Sequence, residues 1–380
     1  MPARVSVPIL IFLLAASLWG TNGDRLIGIG AKSRGMGGVG VGLYHGAESL
    51  FENAATLFEV DSDALYAGAT LFVPRVESDT GGGYVRSATG PSVIPGIAYA
   101  HKPDGDFGWG VVLSATAGMG VDYREVGGHW NMMTDLKLMQ LGVPLVYRTE
   151  WFAIALTPVA YYGSLNIRYA GGSTPGRSTD TAAGYRVELY RHAGDWSAGG
   201  AYRSAVDLKY ARQLSSAMSD FAGVPGFSDH LEQPWELAVG AAYAPGAHRV
   251  AVEYRKIGWG SARGYEAFGW EDQEVFSAGY EYRDQTWSLR LGINHAKSPI
   301  SEQGAAGALA NTLNLLAFPA IVETHYTAGG SLRVSETRSV DLALGYAPEV
   351  TESYTGIVPG GRVTTRHAQF ALTLGWTERF

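Results

Sequence analysis

The 380-residue chain carries a formal net charge of −7, no cysteine, 51 glycines, 21 tyrosines and 10 tryptophans, with only 17% charged residues. The acidic balance argues against a nucleic-acid partner. The missing thiols exclude a disulfide framework or a thiolate zinc site, and without an internal apolar run of about 18 residues the chain is no helical membrane bundle.

In chain order, Arg4 precedes an apolar stretch from Val5 to Trp19 and then the small and polar residues Gly20–Gly23, which is the pattern of a secretory signal over 1–23. A glycine-rich segment follows, within a second unit spanning 24–60. Its glycines (Gly35, Gly37, Gly38 and Gly40 among them) interleave with Met36, Val39, Val41 and Leu43, as in a compact segment packed where only small side chains fit. A dinucleotide-binding reading fails, because no strand precedes these glycines and no βαβ unit follows.

From 61 to 380, period-two alternation predicts fourteen strands: 63–73, 92–102, 106–117, 134–148, 151–169, 183–192, 195–212, 233–244, 248–260, 273–283, 286–296, 321–334, 338–347 and 366–380. Short and long connections alternate along this series. Strand 286–296 sets Trp287, Leu289, Leu291 and Ile293 on one face and Ser288, Arg290 and Asn294 on the other. A soluble sandwich would bury the apolar face, whereas a transmembrane barrel turns it to lipid. Tryptophans near strand ends (109, 151, 196, 235, 259, 287 and 376) favour the second, since such rings suit the headgroup level. The fold class expected is therefore an all-β, antiparallel up-and-down transmembrane barrel. Pro95, Pro144 and Pro158 lie inside predicted strands and require bulges or strand ends.

The order of motifs resembles the FadL-type outer-membrane transporters of long-chain fatty acids and aromatic hydrocarbons. It is carried by Arg34-Gly-Met-Gly-Gly-Val-Gly-Val-Gly42, by Asn53-Ala54-Ala55 where that family has Asn-Pro-Ala, and by Phe318-Pro-Ala-Ile-Val-Glu-Thr-His325. The terminal strand ending in Phe380 resembles the signal read by the barrel-assembly machinery. The resemblance implies a lumen plugged by the N-terminal segment (the hatch) and outer-membrane localisation in a Gram-negative bacterium amid lipopolysaccharide. It also implies passive uptake of a hydrophobic ligand through hatch rearrangement and lateral exit at a kinked strand. The chain is read as a non-enzyme and a monomer, without cofactor or metal.

Exposed apolar loop residues mark binding surfaces, which makes Met119, Tyr123, Trp130 and Met133 candidates in loop 118–133, with Val121 and Met132 beside them. Phe221, Val224 and Phe227 are candidates in 213–232, and Leu309, Leu313, Leu315, Leu316 and Phe318 in 297–320. Arg168 and Arg290 are candidates for a ligand carboxylate, although the acidic run Trp270-Glu271-Asp272 favours uncharged hydrocarbons. His325 is a hydrogen-bonding candidate in the lumen, and Gly118 and Gly120 are candidates for the kink. A general porin and a membrane-embedded lipid enzyme are the alternatives. Neither Gly-x-Ser-x-Gly nor His-Glu-x-x-His occurs to support the latter.

Overall fold

The computed structural model describes residues 22–172, 176–223 and 227–380; the signal-like stretch 1–21 and Val224 lie outside them. Fourteen antiparallel strands close into a barrel: β1 Ala64–Asp79, β2 Val85–Arg86 with Ser92–Ala100, β3 Phe107–Asp122, β4 Met133–Gly142 with Leu145–Arg148, β5 Ala153–Arg168, β6 Ser178–Ala193, β7 Trp196–Arg203, β8 Glu236–Tyr243, β9 His248–Ile257, β10 Gln273–Arg283, β11 Trp287–Ala296, β12 Thr324–Arg333, β13 Arg338–Thr355 and β14 Arg362–Arg379. β14 pairs with β1 from Ala64↔Arg379 to Asp79↔Thr364, and Phe380 N–H donates to Asp63 O at 2.8 Å to finish the seam. Closure matters because a lipid-facing edge would leave a row of amides without partners.

The apolar faces point outward. Leu289 and Leu291 are 58% and 62% exposed, whereas Ser288, Arg290 and Asn294 on the other face of the same strand are buried. Aromatic rings collect at the short-turn end, where Phe107, Tyr147, Trp151, Trp196 and Trp376 are exposed. Trp259 departs from the expected girdle: it is fully buried, packed edge-on 4.7 Å from Tyr265 and 5.1 Å from Trp270.

The prolines sit where no ladder donor is needed. Pro95 precedes the first β2–β3 pair, Gly96↔Ser114, and Pro144 occupies the interruption of β4. Pro158 faces that interruption, its carbonyl accepting from Val143 N–H at 3.2 Å; its missing donor would point the same way. Several strands reach further at the long-loop end than alternation predicts, β13 to Thr355 and β3 to Asp122, whereas β7 stops at Arg203.

Residues 22–60 fill the lumen. Helix α1 (Ala31–Gly35) and the 3-10 turns Ala47–Phe51 and Ala54–Glu59 are nearly all buried. Backbone lies directly on backbone there. A Cβ built on Gly292 would sit 2.1 Å from Gly37 N, on Gly240 2.9 Å from Gly42 N, on Gly279 2.6 Å from Met36 O, and on Gly199 2.0 Å from Val41 O. The interleaved glycines 35–42 thus meet a matching band of wall glycines on β7, β8, β10 and β11. Gly37 and Gly38 also hold φ of 74° and 88°, where a side chain strains the backbone.

Wall charges fix the segment in place. Arg186 donates to Phe51 O and Leu50 O at 2.8 and 2.9 Å, and Arg203 to Phe51 O at 2.8 Å. Glu253 accepts from Gly40 and Val41 N–H at 3.0 and 2.9 Å. Arg255 joins Glu52, Glu236 and Glu253 within 3.0 Å. Asn53 caps its 3-10 turn by accepting from Ala55 N–H at 3.0 Å, and it donates across to Leu189 O at 2.9 Å. This explains the Asn-Ala-Ala motif. Glu48 accepts from the Lys32 and Ser33 amides at 2.8 and 2.9 Å. Burial pushes its carboxyl up to about 7, against the pull of Lys32.

Two outcomes follow from this packing. Gly292→Ala forces the segment off the wall and lowers unfolding stability by about 1–3 kcal/mol in denaturant titrations. Gly345→Ala, whose added methyl meets only the Ala371 side chain at 3.6 Å, leaves it unchanged. The raised Glu48 pKa means that the native state keeps a proton that the unfolded chain has released. Its stabilisation is therefore complete below the ordinary carboxylate value and is lost as pH rises through about 7. Hydrogen-exchange protection factors at Lys32 and Ser33 decline over that window in the wild type and stay flat in Glu48→Gln.

Candidate functional site

At the long-loop end, three connections carrying helices fold over the lumen. Helix α2 (Leu214–Ala222) lies between β7 and β8, helix α3 (Ala308–Leu316) between β11 and β12, and the Trp259–Trp270 stretch between β9 and β10. α2 places Leu214, Ala217, Met218 and Phe221 on one stripe, the i, i+3, i+4, i+7 spacing of a helix with one apolar face. The stripe covers an apolar pocket whose other walls are Met132, Ile167, Phe268, Leu313 and Phe318. The void within is about 20 Å³, room for one water-sized group, so the pocket is closed in this state.

Hydrogen bonds anchor the lid. Gln213 Oε1 accepts from Ile167 N–H at 2.8 Å, and the Tyr169 hydroxyl donates to Ser216 O at 3.0 Å. The Phe221 ring meets Trp130 edge-on at 4.6 Å. Trp270 Nε1–H donates to Asn314 Oδ1 at 2.9 Å, and Thr134 Oγ1–H to Ala317 O at 2.6 Å.

The pocket belongs to one large apolar cluster that reaches the barrel wall, and there the wall is interrupted. β2 and β3 pair only from Gly96↔Ser114 to Ala100↔Gly110. Above that, β3 bulges between Ala115 and Ala117 against β4, and every residue from Ser114 to Val121 is buried, although a lipid-facing strand should alternate. A bulge bends the strand that carries it, and β3 here turns inward. It meets the β2 side again at its far end, where Ala88 N–H donates to Asp122 O at 2.8 Å and Asp122 N–H donates to Ser87 Oγ at 2.8 Å.

In the break, residues 24–26 replace the missing neighbour. Leu26 N–H donates to Thr116 O at 3.3 Å, and Gly118 N–H to Asp24 O at 3.1 Å. Phe72, Val76 and Ile94 of β1 and β2 share the apolar cluster with the inturned residues Ala117, Met119 and Val121.

The predicted site residues divide by position. Met119, Tyr123, Leu315, Leu316 and Phe318 are buried in the cluster, Trp130 is half-buried against it, and Met133 is half-buried at the start of β4 outside it. Met119 and Val121 are strand rather than loop. Gly118 and Gly120 follow the bulge, on the inturned stretch.

The two arginines do not meet each other or the pocket. Arg168 is exposed at the end of β5, alternating with buried Ile167 and Tyr169. Arg290 is buried at the short-turn end, 2.6 Å from Glu281, with Nη1 donating to Ser331 at 2.8 Å. Nor do His325 and the arginines converge: His325 sits in the lumen with Nε2 3.2 Å from Gln369 Oε1. Among the described residues no group of three or more histidine, cysteine, aspartate or glutamate side chains is placed to hold a metal ion. Sequence reasoning missed Leu214, Met218 and Ile94, although the helical spacing of the α2 stripe was available to find it.

No family profile matches the chain, and no curated protein matches it. Solved structures do. The toluene transporter TodX of Pseudomonas putida aligns at 17% identity over 93% of this chain and 99% of its own, with a TM-score of 0.69. The toluene transporter TbuX of Ralstonia pickettii aligns at 18% over 93% and 98%, with a TM-score of 0.68. A FadL homologue of Pseudomonas aeruginosa aligns at 12% over 94% and 100%, with a TM-score of 0.70. By its architecture over the described residues, the chain carries the FadL-type outer-membrane barrel fold.

Proposed function

We propose that this protein is a passive channel for small hydrophobic molecules in the outer membrane of a Gram-negative bacterium, with residues 24–60 acting as its hatch. The observation that carries the reading is the continuity between the lidded apolar pocket and the break in the wall between β2 and β3. A solute that enters under α2 exchanges water for apolar contact, worth about 25 cal/mol per Å². It passes along Met119, Phe318 and Leu315 and leaves sideways between β2 and β3 into the bilayer, where a hydrophobic molecule belongs. Gly118 and Gly120 give the inturned strand its slender profile.

An uncharged ligand is favoured over a fatty acid, since Arg168 faces outside and Arg290 is committed to Glu281 at the far end. A general porin is disfavoured by a lumen filled with residues 22–60. Transport rather than catalysis is also the activity named for the solved structures of like fold. Lipopolysaccharide surrounds the exposed apolar belt, a single copy suffices for the route, and exposed Phe380 presents the assembly signal.

Deleting Thr116, the extra residue of the bulge, restores an unbroken β3–β4 ladder and straightens β3. Toluene flux into proteoliposomes falls more than about tenfold while heat-modifiable gel migration, which reports barrel closure, is unchanged. Unaltered flux rules out lateral exit at this strand. Single-channel conductance of the wild type stays near the bilayer baseline, and a large steady conductance would restore the porin reading.

A further inference from the structure

Where the hatch meets the loop between β9 and β10, a polar knot lies inside the apolar cluster. Asp24, Tyr210 and Trp259 are fully buried and Gln233 is 2% exposed. Each leaves a polar atom without a hydrogen-bond partner: Asp24 Oδ1, Tyr210 Oη, Trp259 Nε1 and Gln233 Oε1. Folded proteins seldom leave such atoms unmet, and several together mark a place for something else.

The four belong to one group. Asp24 Oδ2 accepts from Gln233 Nε2–H at 3.0 Å and from the Tyr265 hydroxyl at 2.5 Å. Tyr265 packs edge-on against Trp259 at 4.7 Å and is tilted on Trp270 at 4.6 Å. The Trp259 indole rests on Gly23, where a Cβ would come within 2.6 Å of the ring. Burial first, and then the charge of the nearby Asp24 carboxyl, disfavour ionisation of the Tyr210 phenol.

We propose that this knot is a recognition site for hydrophobic molecules bearing a hydroxyl group, phenols above all. A hydroxyl donates once and accepts twice, which matches Asp24 Oδ1 as acceptor and the Trp259 N–H and Tyr210 O–H as donors. The ring would lie among Tyr265, Trp259 and Trp270, which already make mutual edge contacts of the kind aromatic guests join. A carboxylate is refused, because burial already pushes the Asp24 carboxyl upward and a second negative charge beside it compounds the penalty. Asp24 also holds Gly118 N–H through its backbone carbonyl, so an occupant of the knot touches the segment that fills the break in the wall.

The inference rests on the channel reading, and one experiment separates the two. Binding of 4-methylphenol and of toluene to the detergent-solubilised full chain is measured by calorimetry for wild type, Tyr210→Phe and Asp24→Asn. Tyr210→Phe removes a hydroxyl with no partner in the fold and keeps the ring, so folding is preserved. The expected result is a loss of about tenfold in 4-methylphenol affinity in both variants with toluene affinity unchanged. Equal changes for both ligands, or none for either, would mean that the knot holds water only and would overturn the site while leaving the channel standing. Wild type binding neither ligand overturns both.

Discussion

Inside a bilayer, each backbone amide must find its partner within the protein, since the acyl chains offer none. Thirteen of the fourteen neighbouring strand pairs meet this demand with long ladders; β2 and β3, the remaining pair, do so for only five residue pairs. What closes the structure there is not another strand of the wall but the first few residues of the N-terminal segment, bonding to Thr116 and Gly118 from inside. The barrel is therefore completed by its plug. This gives residues 24–26 two tasks, to seal the wall and to border the apolar cluster, and it couples the two in one short stretch of backbone.

The rest of the plug is held differently. Along 35–42 the segment meets wall glycines with no side chain between, and arginines of β6, β7 and β9 seize its carbonyls and carboxylates. Removing one partner of a buried charged pair costs several kcal/mol, so this half is the fixed part. Low charge and abundant glycine, the two oddities of the composition, have one origin here. A smooth glycine band lets a folded segment fill the lumen without voids, and the few charges are spent on anchoring it.

The strand pattern of the membrane belt was legible because lipid on one side and plug on the other enforce strict alternation, as at Trp287, Leu289, Leu291 and Ile293. Alternation fails once a strand rises above the belt. β13 runs eight residues past the predicted Ala347, to Thr355, and there Glu349 and Thr351 stay exposed while Val350 and residues 352–355 are half-buried or buried. Trp259 misled for a related reason: a tryptophan at a strand end reads as an interfacial ring, yet this one belongs to a loop folded back into the lumen. The inward bend of β3 showed locally only as Gly118 and Gly120, which lie on the inturned stretch. Ser114-Ala-Thr-Ala-Gly118 reads as ordinary strand, and the bulge exists because the partner of that stretch lies some 90 residues earlier in the chain. Longer separations still, 151 and 203 residues, hide the ion pairs of Glu52 with Arg203 and Arg255. α2 was legible in principle and was obscured by reading its segment for period two.

For the proposed channel, how a closed molecule would conduct is then a question of which seam is weakest. The pocket void of about 20 Å³ admits no aromatic solute, so some contact must part. Lifting the anchored half of the plug would expose buried charges. Parting β3 from residues 24–26 releases two backbone hydrogen bonds of 3.1 and 3.3 Å, a net cost of about 1–3 kcal/mol, together with apolar contacts that an apolar solute restores. A solute with roughly the 150–250 Å² of a phenyl side chain gains about 4–6 kcal/mol on burial. The gain exceeds the cost of that seam and falls short of dislodging the whole plug. On these magnitudes the proposed route has the solute itself open the wall, and the barrel need never stand open to water.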